Sequence, residues 1–178
     1  MLSYRLGILL NAYFGQIMKI GIDPGINGAI AFVSDEEIIL CDMPTIEQSW
    51  SRPNKKTGKI QRMVDTKTLY EMLFKECGEQ KEDIESITIE VVHSMPKQGV
   101  SSTWAFSGAF YSALTVANMF DCQINMVLPT KWKKKFGLIN MPKDAARLAV
   151  LKMYPGLIPQ LKRKKDVDRA DALLIAVS

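Results

Sequence analysis

MKIGIDPGINGAIAFV, residues 18–33, is the stretch on which the fold turns. Its first six residues are short, apolar and β-branched, and they stop at Pro24-Gly25, so they read as a buried strand running into a tight turn. GAIAFV at 28–33 and EIILCD at 37–42 read as two further strands, parted by a polar turn at 34–36. Strands spaced this closely form an antiparallel meander. Residues 44–64 break the pattern with Pro44, Pro53 and Gly58 and with Arg52, Lys55, Lys56, Lys59 and Arg62, which predicts a long loop or hairpin excursion. Asp65 stands where it can cap a helix over TKTLYEMLFKEC. SITIEVV at 86–92 is the next strand, and because it follows a helix it is expected parallel to the first.

A loop at 94–102 leads into an apolar helix over 103–120, and residues 123–128 form a fifth strand. Pro129 opens a basic helix that Gly137 stops, Pro142 opens another running to Tyr154, and an amphipathic helix closes the chain. This order predicts an α/β fold with a mixed five-stranded sheet, covered on both faces because a bare sheet would leave apolar surface wet. The domain spans 18–178. Residues 1–17, with one arginine and no acid, read as a loose tail or an upstream start.

Composition narrows the function. Hydrophobic residues make up 47% and charged residues 24%, as in soluble globular chains, and no apolar run reaches the roughly 18 residues that cross a bilayer. Cys41, Cys77 and Cys122 are odd in number and scattered, which argues against a disulfide scaffold, and with His93 the one histidine a structural zinc site is not expected. A cytoplasmic location is expected, with an organelle kept open by residues 1–17. The net charge is only +4, yet residues 131–165 hold eleven Lys/Arg against the single Asp144. A basic segment of this kind suits one face meeting a polyanion, or a solvated lysine-rich surface.

Against that basic segment stands a set of acids. Asp23 ends the first strand, and Glu90 lies inside an otherwise apolar one, where a bare carboxylate costs several kcal/mol by order of magnitude unless a partner or metal joins it. Asp168 and Asp171 are three apart on the final helix and share a face, and Asp166 precedes them by two. Any one of these has a plain structural alternative, a turn for Asp23 or a helix start for the aspartates. Carboxylates without histidine or thiolate suit Mg²⁺, and two such ions about 4 Å apart can promote phosphodiester cleavage.

Residues 18–177 resemble RuvC-type Holliday-junction resolvases of the RNase H-like superfamily. IGIDPGINGAI at 20–30 is similar to that family's opening Asp motif, TIEVVHSMPKQGVSS at 88–102 to its Glu-bearing motif, and DVDRADALLIA at 166–176 to its C-terminal acidic helix. LKRKKD at 161–166 and PTKWKK at 129–134 resemble the phage-associated and plant-chloroplast branch most closely. The resemblance implies a crossover junction endodeoxyribonuclease that uses Mg²⁺, two ions per site with Mn²⁺ as a substitute, and Asp23, Glu90 and Asp171 as ligands. For the fourth ligand, spacing in the housekeeping members selects Asp168. Spacing in the closer branch selects Asp166, and the better match around Asp166 favours it. Asp171 stands where that branch often has glutamate.

On the substrate side, Lys131, Lys133, Lys134 and Lys135 and the run Lys162, Arg163, Lys164 and Lys165 are natural phosphate contacts, with Lys165 close enough to the acidic helix to act at the scissile phosphate. Trp132 either stacks on a base or sugar or packs its helix onto the core. Lys97, Gln98 and Gly99 follow the Glu-bearing strand, where a resolvase would contact the exchange point, or they form an ordinary helix entry. The apolar helix 103–120, rich in small residues, is expected to form a twofold homodimer that pairs two sites on branched DNA, or to be internal. The rival readings are a branched-DNA-binding recombination accessory protein without catalysis, and an actin-like ATPase or phosphotransferase, which needs a second phosphate loop and against which the basic segment argues.

Overall fold

The computed structural model describes residues 17–55, 58, 60–77, 84–91 and 99–178. In chain order the strands are β1 (Met18–Asp23), β2 (Ala29–Val33), β3 (Ile38–Asp42), β4 (Thr45–Glu47), β5 (Arg62–Val64), β6 (Ile84–Glu90) and β7 (Gln123–Val127). The helices are α1 (Thr66–Cys77), α2 (Val100–Ala117), α3 (Pro129–Lys135), α4 (Ala145–Met153) and α5 (Val167–Ala176). The five-stranded sheet has the order β3-β2-β1-β6-β7. The first three strands pair antiparallel as the expected meander, and β6 and β7 run parallel to β1.

Strand alternation sorts the core into two layers. Ile20 and Ile22 of β1, Ile30 and Phe32 of β2, and Ile87 and Ile89 of β6 turn to one face, where Leu69 and Leu73 of α1 and Ala113 and Val116 of α2 cover them. Ala29, Ala31 and Leu40 turn to the other face, under Trp132, Val150 and the apolar side of α5. Each such aliphatic side chain contributes about 1.5–3 kcal/mol on burial. Gly21 lies in β1 between Ile20 and Ile22, so it faces α5. A Cβ built there would run into the Ala172 carbonyl oxygen and the Ala176 nitrogen. The bare glycine is what lets α5 lie directly on β1.

The 44–64 excursion is a hairpin: β4 pairs antiparallel with β5 in a separate two-stranded sheet. Asp65 caps α1 as expected, its carboxylate accepting from the Thr68 backbone N–H at 3.1 Å and the Thr68 hydroxyl at 2.8 Å. Gly137 takes φ 67° just after α3, which turns the chain back on itself.

Three boundaries differ from expectation. α2 starts at Val100 rather than 103 and stops at Ala117. The helix expected from Pro142 begins only at Ala145, after a turn closed by the Ala145 N–H to Pro142 carbonyl bond of 2.9 Å. The last helix ends at Ala176. At the β3 edge Gln160 behaves like a strand residue, accepting from the Leu40 N–H at 3.1 Å and donating to the Ile38 carbonyl at 3.2 Å. Among the described residues no helix is long and apolar enough to cross a membrane. Residues 1–16, Lys97, Gln98 and His93 lie outside the described residues.

Candidate metal centre

Adjacent strands deliver the first two acids. β1 and β6 are parallel neighbours with Ile22 opposite Ile89, so Asp23 and Glu90 end neighbouring strands one step further on. Because Ile22 and Ile89 turn toward α1 and α2, alternation turns the two acids toward α5. The Asp23 strand end is held in a tight turn: the Gly28 N–H donates to the Gly25 carbonyl at 2.9 Å, and a Cβ on Gly28 would strike the Asp23 carbonyl oxygen. α5 crosses Gly21 at Ala172 and Ala176, which brings its first turns, with Asp168 and Asp171, over the β1 terminus. One carboxylate oxygen from each of Asp23, Asp168 and Asp171 lies within 4.8 Å of the others. Glu90 stands beside this trio, near enough for its charge to act on both Asp23 and Asp171.

Crowding and burial oppose ionisation. Desolvation, and then the charges of Glu90, Asp171 and Asp168, push Asp23 up to about 8. Asp171 rises to about 7, chiefly by desolvation, with Lys133 pulling the other way and Glu90 and Asp168 adding to the rise. Burial also raises Glu90, against the Trp132 hydrogen bond and the Lys133 charge. Burial raises Asp168, against Lys143, whose Nζ is 3.9 Å from its carboxylate. A desolvated all-oxygen cluster with more negative charge than its neighbours balance has the chemistry of a hard divalent cation site, and the residues fit Mg²⁺.

Asp166, the favoured fourth ligand from the sequence, is not among the acids that converge. It is 4% exposed and held by Arg163, whose guanidinium donates to it at 2.6 and 2.9 Å and whose backbone N–H donates at 2.8 Å. Arg163 holds its carboxyl below the usual carboxylate range. Asp168 takes the place beside Asp23 and Asp171 instead. Asp166 precedes α5, in a turn that Arg163 closes on it, whereas Asp168 and Asp171 stand three apart on one face of α5.

Of the two readings of Trp132, the structure shows the ring packed into the core. Its ring is 1% exposed, and its indole N–H donates to Glu90 Oε1 at 2.8 Å. Lys133, next to it, lies close enough to act on Glu90 and Asp171. Lys131 and Lys134 are exposed, and Lys135 donates to the Val177 carbonyl at 2.8 Å. Gly99 is exposed at the start of α2.

A groove of about 590 Å³ runs beside the acids, bounded by Asp168, Asp166, Lys164 and Lys165. Arg62 from the hairpin and Lys143 from the turn before α4 also line it, and sequence reasoning had given neither a role. Arg62 is fixed there by donating to Asn27 at 2.8 Å, a contact across 35 residues that has no local signature. Lys162 is exposed just before this segment. On the sheet face opposite α5, α2 presents Val100, Trp104 and Tyr111 at 87%, 73% and 62% exposure.

No family model matches the chain, and no curated protein matches it in sequence. Among solved structures, T. thermophilus RuvC in complex with Holliday junction substrate superimposes with a TM-score of 0.51 and 18% identity, over 90% of each chain. A second Thermus thermophilus RuvC structure gives a TM-score of 0.49 and 15% identity, over 90% of this chain and 91% of that one. The first likeness establishes the architecture: the chain has the RNase H-like fold in the form that RuvC takes.

Proposed function

We propose that this protein is a Mg²⁺-dependent DNA endonuclease that resolves four-way junctions, with Asp23, Glu90, Asp168 and Asp171 as its metal ligands. The observation that carries the reading is the convergence of Asp23, Asp168 and Asp171 to within 4.8 Å at the carboxyl ends of parallel strands, in a fold like that of a junction-bound resolvase. Asp23, Glu90, Asp168 and Asp171 would hold Mg²⁺, as a pair of ions with Mn²⁺ as a substitute, which would supply Lewis-acid charge for hydrolysis of a phosphodiester.

The chain's own groups do the rest. Burial strips water from the carboxylates, so they bind a cation more strongly than exposed acids would. Lys133 sits at the edge of the acids, where its ammonium can meet a phosphate oxygen. Arg62, Lys143, Lys164 and Lys165 line the adjoining groove, which suits the sugar-phosphate backbone on either side of the scissile bond. Lys131, Lys134 and Lys162 extend the same charge outward, while Arg163 is spent on Asp166. The exposed apolar face of α2 is suited to a twofold contact with a second copy, which would pair two active sites for symmetric nicks.

The test is cleavage of a four-way junction, a flap and a linear duplex of matched sequence in Mg²⁺. Paired nicks are expected in the junction far ahead of cleavage in the other two. Equal cleavage of all three removes the junction and leaves a general nuclease. Undiminished cleavage by Asp23→Asn and Glu90→Gln proteins removes the catalytic site.

A further inference from the structure

We infer that Trp132 is a positioning residue for the metal site: its buried indole N–H fixes Glu90 so that one carboxylate oxygen is held and the other is left to ligate. The inference rests on the metal-site reading above and goes beyond it, because it gives α3 a role through Trp132 as well as through its lysines. Trp132 is 1% exposed in a seven-residue helix whose other central residues, Lys131 and Lys133 to Lys135, are all basic. It is also the largest of the fully buried side chains among the described residues. A residue needed only to fill space at that position has no use for a polar atom. Here the single N–H of the ring is aimed at a carboxylate 42 residues away, at 2.8 Å.

The geometry leaves Glu90 a choice of one oxygen. Glutamate has three side-chain torsions, and at the end of a strand nothing in the backbone fixes them. The Trp132 bond is the one side-chain hydrogen bond recorded for Glu90 among the described residues, and it engages Oε1. An indole donates and cannot accept, so it favours the ionised carboxylate and offers no competing lone pair to a cation. The ring is buried in the apolar layer that also holds Leu161 and Leu173, and burial there limits its motion. Partners of this kind, one bond removed from the ion, are typically worth about 10–100-fold in metal affinity.

The test is Mn²⁺ binding by the full chain without DNA, read from the electron paramagnetic resonance signal of the free ion. Trp132→Phe keeps most of the ring volume and deletes the donor, and Val150→Ala opens a cavity in the same layer without touching Glu90. The dissociation constant is expected to rise about 10-fold or more in Trp132→Phe and to stay unchanged in Val150→Ala. In a Glu90→Gln background the Trp132 substitution should add little. Equal affinity in Trp132→Phe and the parent, or an equal loss in Val150→Ala, would overturn the positioning role. A parent protein that binds no Mn²⁺ at all would instead overturn the metal site on which it rests.

Should Trp132→Phe not fold, the parent itself supplies a second measurement. Trp50 and Trp104 are each 73% exposed, so Trp132 owns the one indole N–H slow to exchange with solvent among the three tryptophans. Its nuclear magnetic resonance signal should move on Mg²⁺ addition, and the movement should vanish in Glu90→Gln. A signal that ignores Mg²⁺ contradicts the inference.

Discussion

At the residue scale, carboxylates gathered at the ends of two strands and one helix repel one another until a cation joins them. Asp23 and Asp171 are raised to about 8 and about 7, so the folded chain keeps protons that the unfolded chain has already released. The sign follows from linkage: in chelator, stability is greatest near the ordinary carboxylate pKa of about 4 and falls as pH rises through 7 to 8. A melting series in chelator should show that decline, and Asp23→Asn should flatten it. Mg²⁺ should raise the melting temperature most at the alkaline end, because it binds the ionised acids. A melting temperature that climbs with pH in chelator contradicts the crowding.

Asp166 behaves in the opposite way, because it already has its partner in Arg163. Asp166→Ala should lower the melting temperature by removing the acceptor that the Arg163 backbone and side chain share, with Mg²⁺ affinity unchanged in a calorimetric titration. Asp168→Asn should instead weaken Mg²⁺ binding. The reverse pattern would restore Asp166 as the ligand.

At the scale of elements, the centre depends on how closely α5 lies on β1. Gly21→Ala places a methyl against the Ala172 carbonyl and should destabilise by about 1–3 kcal/mol or more, since the obstacle is backbone and cannot rotate away. It should also weaken the Mg²⁺-induced rise in melting temperature, by moving Asp168 and Asp171 off Asp23. Normal Mg²⁺ stabilisation in that variant would mean the acids do not depend on the close approach.

Elements differ in how far their own residues mark them. β1, α1 and α3 could be read because their signals are local: an apolar run stopped by Pro-Gly, an Asp65 cap, and a Pro129 start with a Gly137 stop. The start of α2 could not, since Gly99 offers no side-chain cap to mark it. Nor could the helix after Pro142, where Asp144 instead pairs with Arg147 at 2.6 Å and α4 starts behind it. The gathering of Asp168 rather than Asp166 with Asp23, the Trp132–Glu90 bond and the Arg62–Asn27 bond all depend on which elements meet in space, and no run of neighbouring residues encodes that.

At the scale of the whole molecule, cations are gathered in one groove although the net charge is only +4. The groove cations come from three separate places in the chain, Arg62, Lys143 and Lys164 with Lys165, and they converge beside the acids. Junction affinity should fall linearly with the logarithm of salt, and Arg62→Gln and Lys143→Gln should each reduce the slope by about 0.9 if each meets one phosphate. An unchanged slope would move the DNA out of that groove. The apolar face of α2 belongs to this scale too. Sedimentation should report a dimer, and Trp104→Glu should dissociate it while leaving Mn²⁺ binding intact.

The most direct test of the central claim is an anomalous scattering map from crystals of the parent protein soaked in Mn²⁺. The account predicts density enclosed by Asp23, Asp168 and Asp171, with Glu90 adjoining and Asp166 still held by Arg163. Density at Asp166 with none at Asp23, or no density near any of these acids, would contradict it.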